Sequence, residues 1–108
     1  MAEKKLEKTE HKCTIRGILD VIGGKWSMPI IYTLFSGTKR FSELERGIPN
    51  INSRMLVKEL KNMEANGIVV RKVYATVPPT VEYTLTPKGE KLEPILCALN
   101  RWGEEHMV

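Results

Sequence analysis

Phe-Ser-Glu-Leu-Glu-Arg-Gly at residues 41–47 is followed, after a short break, by Asn-Ser-Arg-Met-Leu-Val-Lys-Glu-Leu-Lys-Asn-Met-Glu-Ala-Asn-Gly at residues 52–67. The pattern predicts two helices joined by a tight turn. Ser42 is a favourable N-cap, and Glu45 three residues later completes a capping box that starts the first helix. Gly47 can adopt the left-handed conformation that ends it.

The second of these helices has two different faces. Asn52 or Ser53 caps its start, and the Asn-Gly pair at residues 66–67 ends it. Its apolar residues recur at helical spacing and predict a buried stripe of Leu56, Leu60 and Met63. The opposite side carries three cations that are also three and four residues apart, namely Arg54, Lys58 and Lys61.

A basic, hydrogen-bonding face on the second helix of a helix–turn–helix has the chemistry that the major groove of DNA requires. On an isolated helix, the same face would more often be a solvated surface. We expect this helix to contact bases and phosphates through Asn52, Ser53, Arg54, Lys58 and Lys61. The preceding segment supplies three further candidates for phosphate contacts, Lys39, Arg40 and Ser42.

The composition is that of one small globular domain with a mild basic bias. The chain has 108 residues, and 17 Lys and Arg against 13 Asp and Glu give a net charge of +4. No apolar run approaches the roughly 20 residues that span a bilayer, and the charged first residues do not resemble a signal peptide. Two cysteines far apart suit a reducing cytoplasm. We expect a charged arm at residues 1–12 and a DNA-binding domain at residues 13–108.

Two amphipathic helices precede the helix–turn–helix. The first starts after Cys13 and ends at the glycine pair of residues 23–24. The second begins at Ser27, tolerates Pro29 in its first turn and stops at Gly37. We expect Trp26 to pack in the core between these helices.

After residue 67 the periodicity changes from helix to strand. Residues 68–74 are rich in β-branched side chains, and residues 81–85 alternate apolar with polar. The segment between them contains two prolines and forms the tip of a hairpin. A hairpin placed here is the wing of a winged helix–turn–helix, so the fold class is mainly α with a small β-hairpin. Candidate DNA contacts on this wing are Lys72, Thr76 and Thr80.

The last helix is predicted to start at Thr86, with Pro87 at its first position and a kink at Pro94. This helix and the first one carry more apolar surface than a small domain can cover. A two-fold homodimer is the simplest use of that surface. The expected interface residues are Ile15, Ile18, Leu19, Ile95, Leu99 and Trp102.

The sequence offers little for catalysis or metal binding. Asp20 is the only aspartate, and no phosphate loop, nucleophile elbow or zinc-protease motif is present. A metal site built from His11, Cys13, Cys97 and His106 would have enough ligands, but no spacing supports it. We therefore expect neither an enzyme nor a bound cofactor or metal.

Taken together, these segments resemble the HxlR-type winged-helix transcriptional regulators of bacteria and archaea. The resemblance covers residues 13–106 in order, through Leu-Asp-Val-Ile-Gly-Gly-Lys-Trp (19–26), Arg-Phe-Ser-Glu-Leu (40–44), Met-Leu-Val-Lys-Glu-Leu (55–60), Glu-Ala-Asn-Gly-Ile-Val (64–69), Val-Pro-Pro-Thr-Val-Glu-Tyr-Thr-Leu-Thr (77–86) and Trp-Gly-Glu-Glu-His (102–106). It implies a homodimer built from terminal helices, an inverted-repeat DNA operator read by the second helix and the wing, and control of a nearby gene. In the family, an arginine usually stands where this chain has Thr80, which weakens the expected contact between the wing and the minor groove.

Cys13 falls where several members of this family carry a thiol that senses oxidants or electrophiles. Lys12 and Arg16 lie nearby in sequence, and cations and a helix N-terminus both lower a thiol pKa. The alternative is a small buried apolar residue, as most free cysteines are. The expected function is a cytoplasmic, homodimeric, sequence-specific regulator with an oxidant or small-molecule effector. The alternative is a winged-helix module that binds another protein.

Overall fold

The computed structural model describes residues 14–107, so the predicted N-terminal arm and Cys13 lie outside the described residues. The elements follow one another as α1 (Ile15–Ile22), α2 (Ser27–Leu34), β1 (Lys39–Arg40), α3 (Phe41–Gly47), α4 (Ser53–Ala65), β2 (Val69–Tyr74), β3 (Thr80–Leu85), α5 (Pro87–Glu90) and α6 (Glu93–His106). This is the predicted winged helix–turn–helix with additional terminal helices. None of the helices in the described part is long and apolar enough to cross a membrane.

Helices α1 and α2 form where the sequence predicts them. Helix α1 ends at the glycine pair, and α2 begins at Ser27, which is almost completely buried. Ile30 and Ile31 of α2 are fully buried. Trp26 is half-buried against the core, as predicted, and its indole Nε1 is buried without a hydrogen-bond partner among the described residues.

The predicted start of α3 is wrong by two residues. Helix α3 is capped at Arg40, and the Arg40 N–H donates to Oε1 of Glu43 at 2.8 Å. Ser42 therefore lies inside the first turn instead of capping it. The reason is that Lys39 and Arg40 pair with strand β3, which holds the chain extended up to Arg40 and starts the helix immediately afterwards.

The turn between α3 and α4 also differs from the prediction. Gly47 is not in the left-handed region; Asn50 is, with a φ of 68°. Asparagine tolerates this conformation better than other non-glycine residues because its short side chain can hydrogen-bond locally. Ile48 and Ile51 on either side are buried, so the turn is anchored to the core at both ends.

Helix α4 has the predicted limits and the predicted buried stripe. Of the two candidate caps, Asn52 is the one observed: its Oδ1 accepts a hydrogen bond from the Met55 N–H at 2.9 Å. Gly67, with a φ of 73°, follows the end of the helix. The stripe is almost completely buried and consists of Leu56, Leu60 and Met63.

The sheet has three strands in the order β1-β3-β2, all antiparallel. The β2–β3 hairpin is the predicted wing. The sequence does not predict strand β1, because a two-residue strand carries no periodicity. Its register places Lys39 opposite Tyr83 and Arg40 opposite Glu82, which joins the wing to the start of α3.

The C-terminal segment is two helices, where the sequence predicted one with a kink. Thr86 caps α5 as predicted, and its hydroxyl accepts from the Gly89 N–H at 3.0 Å. Residues 91–92 then form a turn between the two helices, and Pro94 lies in the first turn of α6. Proline has no N–H and crowds the carbonyl four residues earlier, so a position in the first turn is where a helix tolerates it.

Six apolar side chains predicted to form a dimer interface remain between 42% and 58% exposed in the single chain. They lie on α1 and α6 and are Ile15, Ile18, Leu19, Ile95, Leu99 and Trp102. Leu92, the residue before α6, borders the same cavity as Ile18, Val21 and Ile22 of α1. The dimer itself stays a prediction.

Candidate nucleic-acid interface

The face of α4 opposite the buried stripe carries the three predicted cations. Arg54, Lys58 and Lys61 are all exposed. Among residues 14–107, the one contact within 4.0 Å between a basic nitrogen and a carboxylate oxygen joins His106 and Glu105, so none of these three cations is neutralised by a described carboxylate. The helix therefore presents concentrated positive charge with its hydrogen-bond donors available for a ligand.

Two carboxylates fix the position of α4 on the rest of the domain. The hydroxyl of the buried Ser27 donates to Oε1 of Glu59 at 3.1 Å, which ties α2 to α4. The Ser53 hydroxyl donates to Oε2 of Glu45, which ties the start of α4 to α3. Neither carboxylate stands out in the sequence, because each is one of many glutamates on a helix.

A concavity of about 770 Å³ lies between α4 and the wing. Helix α4 contributes Val57, Lys61 and Glu64 to its walls. The other lining residues come from the start of α3 and from the sheet, and they are Arg40, Phe41, Ser42, Arg71, Pro79, Thr80, Val81 and Tyr83. Four of the predicted contact residues, from three different parts of the chain, thus meet at one groove: Arg40, Ser42, Lys61 and Thr80.

Other predicted contact residues lie outside this groove. Asn52, Ser53 and Arg54 line a separate shallow depression at the N-terminus of α4. Lys39 is half-buried beside the sheet and does not line the groove. Lys72 lies on the sheet face opposite that of Arg71, and its Nζ is 5.3 Å from the centroid of the Tyr74 ring.

The tip of the wing is held by its own threonines. The Thr76 hydroxyl donates to the Pro78 carbonyl oxygen at 2.6 Å and lies 2.9 Å from the Thr80 hydroxyl. Thr76 and Thr80, two of the three predicted wing residues, therefore already serve the tip conformation. Val77 between them is completely exposed.

Val57 and Arg71 are two of the groove residues that the sequence did not single out as DNA contacts. Val57 interrupts the run of charged residues on α4 with an apolar side chain. Arg71 lies on β2 opposite Tyr83, on the sheet face that borders the groove. The alternation of residues along β2 could have placed Arg71 on that face, since it shares its parity with Val69.

The described residues hold no group of three His, Cys, Asp or Glu side chains close enough to bind a metal ion. His11 and Cys13 of the weighed metal site lie outside the described part. Cys97 is a half-buried free thiol on α6.

The chain resembles known regulators over nearly its whole length. The HxlR-like helix-turn-helix family matches residues 21–108. YybR of Bacillus subtilis, an HTH-type transcriptional regulator, is 47% identical over 107 residues, which are 98% of this chain and 86% of YybR. These relatives are transcriptional regulators and not enzymes.

Solved structures agree with the sequence comparison. The redox regulator HypR in its reduced form superposes with a TM-score of 0.83 at 47% identity, covering 88% of this chain and 94% of HypR. The reduced form of the transcriptional regulator YodB from B. subtilis superposes with a TM-score of 0.78 at 35% identity, covering 89% of this chain and 95% of YodB. The chain therefore belongs to the HxlR-like helix-turn-helix family and is a transcriptional regulator of the winged helix–turn–helix type.

Proposed function

We propose that this regulator is a homodimer that binds an inverted-repeat DNA operator, with α4 in the major groove and the wing on flanking DNA. The observation that carries the proposal is the basic face of α4. It combines three exposed cations without described carboxylate partners, a helix position fixed by Glu45 and Glu59, and a groove of about 770 Å³ beside it. A rigid helix with a fixed set of donors is what base readout requires.

The contacts divide into readout and phosphate binding. Arg54 lies in the first turn of α4, the part of a recognition helix that reaches base edges, and it is assigned to a guanine edge. Lys61, Arg40 and Ser42 border the groove and are assigned to the DNA backbone. Lys58 stays a candidate for either. Asn52 and Ser53 already bond within the protein, so they position the helix start and add to phosphate binding through its N-terminal amides.

The test is a selection of bound sites from random duplex DNA, followed by titrations of the selected site at several salt concentrations. Arg54→Ala should weaken binding to the selected site by about 1–3 kcal/mol and reduce the sequence preference at one base pair of each half-site. Lys61→Ala should weaken binding to all sequences alike. It should also reduce by about one unit the slope of the logarithm of the binding constant against the logarithm of the salt concentration. Lys91→Ala, an exposed cation beyond the end of α5, is the control and should change neither.

The alternative is a winged-helix module that binds an acidic protein surface. The same experiment separates the two functions. Selection that returns no preferred sequence, together with duplex affinity unchanged in Arg54→Ala and Lys61→Ala, would favour the protein-binding module. A selected site without two-fold symmetry would contradict the dimeric arrangement alone.

We also propose that Cys13 makes this regulator responsive to oxidants or electrophiles. Two proteins similar to this chain support it: HypR is named a redox regulator, and YodB has a diamide-treated form. In the sequence, Cys13 directly precedes Thr14, the N-cap of α1, and α1 carries half of the proposed dimer surface. Modification there would alter the packing between subunits and hence the spacing of the two α4 helices.

Diamide or a quinone should therefore change the affinity of the wild type for its operator. Cys13→Ser should bind the same operator and lose the response. Cys97→Ser is the matched control, since Cys97 is the other cysteine of the chain, and it should respond as the wild type does. An equal response in Cys13→Ser and wild type would assign Cys13 to packing.

A further inference from the structure

Val57 is out of place on the face of α4 that carries the positive charge. It lies three residues after Arg54 and four before Lys61, so it shares their side of the helix. Val57 is 38% exposed, whereas the other large apolar residues of α4 are buried or half-buried. Valine is also a poorer helix former than the surrounding Lys, Glu and Leu, so helix stability does not explain its presence here.

The surroundings of Val57 suit a mixed polar and apolar ligand. Lys61 and Glu64 lie beside it on α4, and Arg71 and Val81 face it across the groove. The cations on either side attract phosphates, while Val57 offers neither a donor nor an acceptor. It is one turn from Arg54, in the half of the helix that comes nearest to the bases when such a helix enters the major groove.

The major groove presents one prominent apolar group, the C5-methyl of thymine. An aliphatic side chain on a recognition helix can recognise it by excluding water from both surfaces. A cytosine or a purine at the same place would instead expose a polar edge to Val57 and leave that edge without a partner.

We propose that Val57 determines specificity at one base pair of each half-site by packing against a thymine methyl group. The inference rests on the proposed DNA-binding function and adds the identity of one base that α4 recognises. Arg54 supplies the neighbouring polar contact, and Lys61 holds the backbone that brings the methyl group to Val57.

The experiment uses deoxyuridine, which pairs as thymine does and lacks only the methyl group. A series of duplexes is made from the selected operator, and each duplex carries deoxyuridine in place of thymine at one position of both half-sites. Each duplex is then titrated with the full-length protein. One position should weaken binding of the wild type about fourfold in each half-site, the effect of losing one buried methyl-sized group of about 0.8 kcal/mol. Val57→Ala should bind the thymine operator more weakly and show little further loss with deoxyuridine at that position.

Val70→Ala is the matched control. Val70 is an exposed valine on the sheet face opposite the one that borders the groove, so this variant should keep the full deoxyuridine effect. A deoxyuridine effect of equal size in wild type and Val57→Ala would overturn the proposal, and so would an operator in which no thymine methyl matters. Both outcomes leave specific DNA binding intact. Failure of the proposed function looks different, because the thymine operator itself would then not be preferred.

Discussion

At the residue scale, the start of α3 depends on the ionised form of Glu43. The hydrogen bond from the Arg40 N–H lowers the pKa of Glu43 below its ordinary value, and Lys39, Arg40 and Arg46 act in the same direction. A carboxyl whose pKa is lower in the folded state contributes stability above its unfolded pKa. That contribution is lost as the pH falls through the folded pKa.

NMR titration of Glu43 should therefore give a lower pKa in the folded protein than in the urea-unfolded chain. Glu43→Gln should remove this part of the acid dependence of unfolding and leave stability at neutral pH slightly lower. An equal pKa in both states would mean that the cap is absent in solution. Because the side chain is fully exposed, the whole effect is small.

The turn between α3 and α4 gives a second test at this scale. Asn50 has a positive φ and Gly47 does not. Asn50→Ala should lower the free energy of unfolding by about 1 kcal/mol, because alanine is strained in the left-handed region. Gly47→Ala should be neutral or stabilising by up to about 1 kcal/mol, since a Cβ there meets no atom within 4 Å and the unfolded chain loses freedom. Urea unfolding of both variants measures this, and the reverse order would restore the turn predicted from the sequence.

That turn also shows what sequence reasoning can and cannot locate. A glycine next to a helix end is the usual left-handed residue, so Gly47 was the reasonable choice. Asn50 takes that role because the buried Ile48 and Ile51 fix where the chain must reverse, and this is a tertiary constraint. The cap of α3 lies at Arg40 and not at the predicted Ser42 for a similar reason, because β1 pairs with β3.

At the element scale, the long periodic segments were predictable and the short ones were not. Helix α4 and the β2–β3 hairpin follow from local spacing, because one face of each is buried. Strand β1 has two residues and acquires its conformation from a partner more than forty positions away. The groove beside α4 depends on that same pairing, so its shape was beyond sequence reasoning although several of its residues were named.

Fixing α4 as an element depends on the hydrogen bond between Ser27 and Glu59. Ser27→Ala should lower the free energy of unfolding by about 1–2 kcal/mol, because the hydroxyl is 1% exposed and its partner is a carboxylate. It should also reduce operator affinity through the less restricted helix. Ser36→Ala is the matched control, because it removes an exposed hydrogen bond from another serine hydroxyl to the Thr33 carbonyl oxygen. It should change neither the free energy of unfolding nor the operator affinity measurably. If Ser27→Ala lowers stability and leaves affinity unchanged, the bond serves the core alone.

At the scale of the whole molecule, the apolar surfaces of α1 and α6 require an explanation that the single chain does not provide. Six large apolar side chains there are about half exposed, although the core of the domain is otherwise well covered. Two copies related by a two-fold axis would bury both surfaces at once and present two α4 helices to DNA. Winged-helix recognition then becomes bivalent, with half-sites about 34–36 Å apart or a multiple of this distance.

Leu99→Glu tests this arrangement because it places a charge in the centre of the proposed interface. Burial of one leucine contributes about 1.5 kcal/mol or more, and each dimer contains two copies, so the dissociation constant of the dimer should rise by at least about a hundredfold. Sedimentation at micromolar concentration should show a monomer with an unchanged circular dichroism spectrum. The variant should also bind a full operator no more tightly than an isolated half-site.

Val70→Glu is the matched control for the sedimentation experiment, because it introduces the same charge at a residue of similar exposure. Val70 is 52% exposed and Leu99 is 50% exposed, but Val70 lies on the wing. It should remain a dimer. If Leu99→Glu also remains a dimer, the subunits do not meet through α6, and the exposed face of α1 is the next surface to substitute, through Ile18→Glu. If Leu99→Glu and Ile18→Glu are both dimers, the half-exposed residues of α1 and α6 belong to a different contact. The two α4 helices must then be spaced by another part of the chain.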